Sequence, residues 1–440
     1  MFRSCLLKVI VCGIAMLSCL DSTACKRTIL VDNYRSHFDN DTELLQYIFS
    51  RVRNNTKVVL GPREYRINSL YGQKGSLHEK GFIMLSNIKK VDIVGEGTVI
   101  IDEAEKQLIG IYPFSFMRLE DCSHVSITGI KYIWKEQCDL HPDVKGIVFI
   151  RAMGECRKLN IDIQVENAGR GFYSGTFAYT GNYRRGICDS KIKIGAYKVG
   201  YPLAICGKGD NLELECIYNI AHRGAYLGGV TNSKIIVRGK EAYSTRVQLL
   251  LTDVSDSEGC WPCDHIDATI EDLGTQLYSN SVLSAVYQFY QKSYECFSNR
   301  KPYRIERINI HVYTPDISGT SYEIFQFAGD VKEEDFANVY IDGKLRHRNA
   351  GGSRLFRLNR LPQGNVFIRG LNNEYNYILQ MEDVPENFSL NVSDCSNIIL
   401  QEKIQSKICG KLFFKGCTFR GKPSIKGITR NDNFHIEIEE

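Results

Sequence analysis

The sequence predicts an all-β fold in which parallel strands stack on one another as a solenoid. An apolar, polar, apolar triplet, introduced by a polar or Asn/Cys residue, returns along most of the 440 residues. Alternation with period two is typical of a strand with one buried face, and its return every roughly 20 to 40 residues is typical of a stacked repeat. The intervening stretches carry almost no 3.6-residue pattern, which disfavours a βαβ fold.

The triplets serve as strand anchors and define roughly 12 to 13 coils, a rod on the order of 60 Å long at about 4.8 Å per coil. Such a long grooved surface suits an extended polymer better than a small metabolite. The anchors are Val91-Asp92-Ile93, Val125-Ser126-Ile127, Leu159-Asn160-Ile161, Ile192-Lys193-Ile194, Leu212-Glu213-Leu214, Ile266-Asp267-Ala268, Ile308-Asn309-Ile310, Val339-Tyr340-Ile341, Val366-Phe367-Ile368, Phe388-Ser389-Leu390, Leu412-Phe413-Phe414 and Phe434-His435-Ile436.

Residues 1–24 have the features of a signal peptide. Arg3 and Lys8 precede an apolar run over residues 9–20, and Ser22-Thr23-Ala24 forms a small-residue cleavage site. This predicts a secreted or periplasmic protein. Residues 16–19 also form an imperfect lipoprotein box, so an outer-membrane lipoprotein anchored through Cys19 is the alternative. No other segment approaches the length of a membrane span.

Residues 25–75 are predicted to form an N-terminal cap, and residues 76–440 the coils. Asn40 can cap an amphipathic helix that ends near Asn54, and a strand-turn-strand unit over residues 58–67 follows it. Such a helix would cover the open end of the strand stack.

These N-terminal motifs resemble the entry of the pectin-lyase-like right-handed parallel β-helix superfamily. The resemblance implies a single right-handed parallel β-helix, and a polysaccharide lyase, a glycoside hydrolase, a tailspike or an adhesin as its function. The catalytic motifs of the polygalacturonases are missing, so the resemblance extends to the fold and leaves the substrate open. The matching runs are Asn40-Asp41-Thr42-Glu43-Leu44-Leu45, Val58-Val59-Leu60-Gly61-Pro62-Arg63-Glu64-Tyr65-Arg66-Ile67 and Val91-Asp92-Ile93-Val94-Gly95-Glu96-Gly97.

Arginines and tyrosines recur at similar distances after neighbouring anchors, which predicts a binding track for an acidic glycan. Guanidinium groups pair with uronic carboxylates, and tyrosine rings stack on sugar faces. The net charge of +4 is too small to favour a nucleic acid. The predicted substrate-binding residues are Arg170, Tyr173, Tyr201, Tyr218, Tyr243 and Arg246.

The segment His222-Arg223-Gly224-Ala225-Tyr226 is the predicted catalytic centre of a lyase that acts by β-elimination. A uronide lyase needs a cation that neutralises the carboxylate and a base that removes the C5 proton. Arg223 or Arg246 would be the neutraliser, and His222 or Tyr226 the base and then the acid. These side chains could also simply cover the outside of a sheet, and neither His222 nor Arg223 is expected in the core.

Two alternatives remain open. A glycoside hydrolase would use two carboxylic acids, for which Asp253 and Asp256 are the preferred pair. The same acidic segment could hold Ca²⁺, but its spacing matches no dedicated calcium loop, and the sequence predicts no other metal or cofactor. The second alternative to a lyase is a non-catalytic glycan-binding or adhesin β-helix.

The sequence contains 16 cysteines, and four of them lie in or beside the signal segment. Cys122, Cys156, Cys188 and Cys263 each precede an anchor by three or four residues. This position predicts a column of small buried side chains rather than a redox or zinc site.

Overall fold

The computed structural model describes residues 26–73, 80–106, 114–140, 146–175, 186–250, 254–256, 259–261, 263–272, 281–287, 302–317, 323–329, 333–347, 354–359, 362–371, 377–382, 385–402, 409–419 and 434–439. The predicted signal segment, Cys19 and Asp253 lie outside these ranges. Within them, no helix is long and apolar enough to cross a membrane.

The N-terminal cap contains the predicted helix. A 3₁₀ helix, Val31–His37, leads into α1, Asp41–Ser50, and the Asn40 side chain accepts a hydrogen bond from the Glu43 backbone N–H at 2.9 Å. This bond satisfies one of the free amide donors at the helix start. Leu44, Leu45, Ile48 and Phe49 are buried, as their helical spacing predicts. The helix ends a few residues before the predicted Asn54.

The first ladder of strands carries the sequence anchors. Each of its strands pairs in parallel with the next, and the apolar residues of the triplets face the core. All twelve anchors lie in these strands, except that Leu159 directly precedes its strand. The strands are β1 Arg27–Leu30, β2 Thr56–Leu60, β5 Lys89–Asp102, β7 Ser123–Trp134, β10 Asn160–Glu166, β12 Gly186–Tyr197, β13 Tyr201–Leu250, β16 Asp264–Asp272, β18 Arg304–Ile317, β20 Phe336–His347, β22 Gln363–Arg369, β24 Phe388–Ser393, β26 Gly410–Lys415 and β27 Phe434–Glu439.

A corner divides the strands at the start of this ladder. The register between β5 and β7 shifts between Val94 and Thr98, where Gly95 and Gly129 face each other. Gly129 has a φ of +70°, and a Cβ there would lie 2.2 Å from the Gly95 carbonyl oxygen. Only glycine permits this conformation and this close approach, so the corner depends on the pair.

A second parallel ladder consists of strands that the triplet pattern did not predict. It pairs β4 with β6, β8, β11 and β13 in turn, and β13 continues through β17 to β25. Its strands are β4 Gly81–Ser86, β6 Ser115–Glu120, β8 Val148–Met153, β11 Arg170–Ser174, β17 Ser281–Tyr287, β19 Glu323–Gly329, β21 Arg354–Asn359, β23 Tyr377–Glu382 and β25 Ile398–Glu402.

The chain contributes strands to both ladders by passing from one ladder to the other. The long β13 pairs successively with β11, β12, β16 and β17, so it contributes to each ladder more than once. Of the remaining strands, β3 Glu64–Ile67 pairs with β5, β9 Cys156–Arg157 pairs with β12, and β14 Val254–Asp256 pairs antiparallel with β15 Gly259–Trp261.

Residues with left-handed backbone conformation lie one to three positions before inward-facing apolar residues of the first ladder. Lys158, Asp189, Asn211, Asn232 and His265 all have φ between +49° and +54°. Asn and Asp tolerate this region better than most residues, which explains the polar lead-in before the anchors. The predicted all-β class is confirmed, whereas the right-handed solenoid stays a prediction.

The predicted cysteine column is largely buried. Cys122, Cys156 and Cys263 are fully buried, and Cys188 is partly exposed because it pairs with Arg157 rather than Cys156. Burial raises the pKa of the Cys156 thiol to about 12. A thiol with such a pKa stays protonated and unreactive at neutral pH, as expected of a packing residue.

Candidate functional site

Two strands of the second ladder, β8 and β11, are buried on both faces. Every residue of β8 is buried, and so are the residues of β11 after Arg170. Residues 135–140 lie against this region and are held in place by hydrogen bonds from Cys138 N to the Asn167 carbonyl and from Cys138 Sγ to the Lys198 carbonyl. Polar side chains of these strands are therefore enclosed rather than solvated.

Strand register brings several of the predicted residues into contact. Arg170 pairs directly with Tyr201, and Tyr173 pairs with Arg151 on one side and Ala204 on the other. The amide of Arg223 then bonds the Gly200 carbonyl at 3.1 Å, which sets Arg223 beside Tyr201. Residues far apart in sequence thus become neighbours because each is placed by its own strand.

Arginines and tyrosines alternate through this cluster. The Arg151 guanidinium lies 5.5 Å from the centre of the Tyr173 ring, and Arg170 lies 5.5 Å from Tyr173 and 5.2 Å from Tyr201. Arg223 continues the series, 5.7 Å from Tyr201 and 5.6 Å from Tyr226. All these distances fall within the range of cation–π attraction, so the rings help to hold three cations close together.

His222 lies at the edge of this series. Its Nδ1 is 2.6 Å from the Leu140 carbonyl oxygen, and its ring meets the Tyr201 ring edge-on with 5.5 Å between centres. Because a carbonyl can only accept, Nδ1 carries the proton, and in the neutral ring Nε2 then holds the lone pair. The His222 ring therefore lies against Tyr201, directly before Arg223 in the chain.

We define the enclosed site as Arg151, Arg170, Tyr173, Tyr201, His222, Arg223 and Tyr226. It combines concentrated positive charge, phenol groups that can hydrogen-bond, and one nitrogen base in a region of low solvent access. Charges interact more strongly there than at an open surface. Such a site can bind a carboxylate and move a proton next to it.

Arg151 is a member of the site that was not predicted from the sequence. It is only 1% exposed. It lies in β8, whose residues are all buried, so no alternating pattern marked this segment as a strand. Its register with Tyr173 is what places it in the series.

Two of the predicted binding residues belong to the core instead. Tyr218 is 2% exposed, and its ring covers Gly239, where a Cβ would lie 2.0 Å from the Tyr218 Cζ. Tyr243 packs against the same core cluster. Tyr218 is buried and Tyr243 half-buried, so equal distance after an anchor does not by itself predict how far a side chain is exposed.

The expectation that His222 lies outside the core was wrong, since it is 6% exposed and bonded to Leu140. Arg223 is half-buried, as predicted.

The predicted carboxylate pair falls mostly outside the described side chains. Asp253 lies outside the described residues, Asp256 is described only as part of β14, and Arg246 only as part of β13. Nearby Asp264 accepts hydrogen bonds from the amides of Glu306 at 2.9 Å and Arg307 at 3.0 Å, so its carboxylate organises a turn. Among the described residues, no cluster of His, Cys, Asp or Glu could hold a metal ion.

No protein-family model matches the chain, and no curated protein matches it. Among solved structures, it is similar to the catalytic unit of a thermostable GH87 alpha-1,3-glucanase from Streptomyces thermodiastaticus strain HF3-3. The identity is 10% and the TM-score 0.37, and the match covers 93% of this chain and 67% of that chain. At this TM-score the similarity carries no argument about function.

Proposed function

We propose that this protein is an exported polysaccharide lyase that cleaves an acidic, uronic-acid-containing glycan by β-elimination at the enclosed site. The observation that carries the proposal is the alternating arginine and tyrosine series beside a histidine whose Nδ1 is bonded to a carbonyl. A secreted or periplasmic location forms part of the proposal, because an extended polysaccharide is the intended partner.

The architecture assumed by this proposal is a right-handed parallel β-helix. Two parallel ladders joined repeatedly by the same chain are what coils of such a fold would produce. In that arrangement, a polymer can contact side chains from successive coils.

The proposed reaction begins with binding of the uronic carboxylate. Arg223 and Arg170 would pair with it, and this neutralisation favours loss of the adjacent C5 proton. His222 Nε2 would accept that proton, and the C5–H electron pair would be held by the neutralised carboxylate as an enolate. As this pair forms the C4–C5 double bond, the C4–O bond breaks, and its electron pair leaves with the departing sugar, which takes a proton from a tyrosine hydroxyl or from water.

The choice of base rests on hydrogen bonding at His222. The Leu140 carbonyl fixes the Nδ1–H tautomer and the ring orientation, so Nε2 does not need to be reorganised before proton transfer. Tyr201 lies against this ring and Tyr226 against Tyr201, with 5.8 Å between the two tyrosine ring centres, and either hydroxyl could act as the acid.

The proposal is tested by incubating the full chain with a panel of uronic-acid polymers and following the absorbance of the unsaturated product. A His222→Asn variant keeps an amide N–H that can bond the Leu140 carbonyl but removes the ring nitrogen. We expect it to lower turnover by about 10²-fold to 10⁴-fold, the usual contribution of a general base. Its thermal midpoint should stay close to that of the wild type.

His265→Asn is the matched control, because His265 is exposed and bonded to Asp264 away from the enclosed site. It should retain full turnover. Reducing ends without unsaturated product would instead indicate a hydrolase, and glycan binding without either signal would indicate a non-catalytic protein. An unchanged rate for His222→Asn would reject His222 as the base.

A further inference from the structure

The C-terminal half of the first ladder forms an open groove with a volume of 810 Å³. We call this the ladder groove; it is lined by outward side chains of β16, β18, β20, β22, β24, β26 and β27. Seven strands about 4.8 Å apart give it a length of about 30 Å. It belongs to the other ladder from the enclosed site and shares no described residue with it.

Aromatic rings from neighbouring strands form part of the groove. Tyr340 pairs with Phe367 in the strand register, and their rings are stacked with 4.7 Å between centres and 3° between planes. Tyr340 is 37% exposed, and Phe413 lines the groove two strands beyond Phe367. Between Phe367 and Phe413 the register places only the short side chain of Asn391.

The register therefore sets the two phenylalanines on either side of Asn391. Two strand steps separate Phe367 from Phe413, or about 9.6 Å, so a ring seated above Asn391 would lie roughly 4.8 Å from each of them. That separation is typical of stacked rings.

Polar groups occur beside the aromatic rings. The His311 Nδ1 lies 2.6 Å from an Asp342 carboxylate oxygen, and its Nε2 lies 3.2 Å from Asp267. The three residues come from three successive strands, and both carboxylates are about half exposed. His311 thereby fixes two carboxylates with oxygens that can still accept bonds from hydroxyl groups.

The charges of the groove are mixed. Asp267, Asp342, Glu437 and Glu439 supply four carboxylates. Arg307, Arg369 and Lys415 supply three cations, and Lys415 is paired with Glu439 at 3.1 Å. An anionic polymer would meet four like charges here, whereas a neutral sugar can use both the donors and the acceptors.

We propose that the ladder groove is a binding site for a neutral oligosaccharide, separate from the enclosed site. The aromatic rings stack on the sugar faces, while Asp267, Asp342 and Asn391 accept or donate hydrogen bonds to the hydroxyl groups. The inference does not depend on the proposed lyase activity, because its observations lie on different strands.

The test is calorimetric titration of the full chain with neutral hexasaccharides of the cellulose, laminarin, amylose, xylan and mannan types, and with a galacturonate hexamer as the charged probe. We expect at least one neutral saccharide to bind and the charged probe to leave that binding undisturbed. Tyr340→Ala should weaken the binding at least about tenfold through loss of the stacked ring.

Tyr313→Ala is the matched control, since Tyr313 is 47% exposed on β18 but is not among the described lining residues of the groove. It should change the affinity by less than about twofold. Asp267→Asn tests the same groove from a different strand, in case Tyr340→Ala disturbs folding, and should also weaken binding.

Three results would overturn the inference. The first is that no neutral saccharide binds at millimolar concentration. The second is that wild type, Tyr340→Ala and Asp267→Asn bind with equal affinity, and the third is that the charged probe displaces the neutral saccharide from the groove. Self-association that Tyr340→Ala abolishes in sedimentation velocity would assign the groove to contact between copies instead. Lyase activity is not part of any readout, so its absence would leave this test intact.

Discussion

The enclosed site and the ladder groove are built from the same parallel register but present opposite surroundings to a ligand. In the enclosed site, buried strands hold three arginines against tyrosine rings, and Leu140 is bonded to His222 beside them. In the ladder groove, one face of each strand stays open and carboxylates alternate with cations. Strand register determines which side chains are neighbours, and burial determines how strongly they interact.

Under the two proposals, this difference would separate two tasks. Excluding water strengthens charge interactions and suits a step that moves a proton. An open aromatic surface suits reversible binding of a long chain, because it demands little desolvation of charged groups. Four predictions test whether the two regions differ in this way.

The largest expected difference is in the free energy of unfolding lost when an aromatic ring is removed from a buried strand of the second ladder or from the ladder groove. Phe149 is fully buried, and its ring stacks on Tyr132 with 4.4 Å between centres, so Phe149→Ala should lower the free energy of unfolding by about 3 to 5 kcal/mol. Phe367 is half-buried in the groove, and Phe367→Ala should cost about 1 kcal/mol. Thermal and urea denaturation followed by circular dichroism compare them, and equal costs would contradict the distinction.

The second difference concerns Arg223. Arg223→Ala removes a cation that lies 5.7 Å from the Tyr201 ring, which also contacts His222. We therefore expect kcat/KM on a uronic-acid polymer to fall by about 10²-fold to 10³-fold, the usual cost of losing such a stabilising group. Binding of a neutral saccharide to the ladder groove should not change. Arg157→Ala is the control, because Arg157 is exposed and paired with Glu155. An unchanged kcat/KM for Arg223→Ala would contradict the electrostatic role proposed for the enclosed site.

Salt should affect the two sites differently. Binding of a uronic-acid oligomer to the inactive His222→Asn variant depends on arginine charges, so raising the ionic strength from low to high should weaken it by about threefold to tenfold. Neutral saccharide binding at the groove should vary by less than about twofold. Calorimetric titration at several salt concentrations measures both, and a salt-independent affinity for the charged oligomer would contradict the first expectation.

The smallest effect concerns acid stability at the N-terminal end, where the first ladder begins. Burial alone would raise the pKa of Asp32, but hydrogen bonds from Arg63 and Tyr65, at 2.8 Å each, outweigh it and lower that pKa below 3.8. The unfolded chain then binds more protons in this range, so the contribution is present above about pH 4 and is lost as pH falls through the folded pKa.

Asp32→Asn should therefore flatten the loss of stability below pH 4. At neutral pH it should cost at most about 1 kcal/mol, because the Asp32 side chain is 40% exposed and solvent screens the pair. Thermal midpoints between pH 2.5 and pH 7 measure this, with the nearby exposed Asp39→Asn as the control. A parallel pH profile for Asp32→Asn and wild type would contradict the assignment.

The first ladder could be predicted from the sequence because its strands have one solvent-exposed face and one buried face. Triplets such as Val366-Phe367-Ile368 show this alternation directly, and Asn40 marked the helix start by its capping chemistry. The second ladder was missed for the opposite reason. A strand such as β8, buried on both faces, reads as a short apolar run without a period.

The members of the enclosed site were predicted in part. Arg170, Tyr201 and Arg223 were selected by residue type and distance from an anchor, whereas their contacts depend on register, which distance along the sequence only approximates. The sequence also carries a signal for the ladder groove. The central residues of consecutive anchors, Asp267, Asn309, Tyr340 and Phe367, form its floor because they all face outward.

Within the described part of the chain, pairing in both ladders joins a strand to the strands directly before and after it, and β27 pairs with β26 alone. Hydrogen exchange should report the lowest protection at β27 and rising protection toward β13, so the two surfaces would melt in sequence rather than together. A protease could then trim the last coils while the N-terminal half keeps its shape.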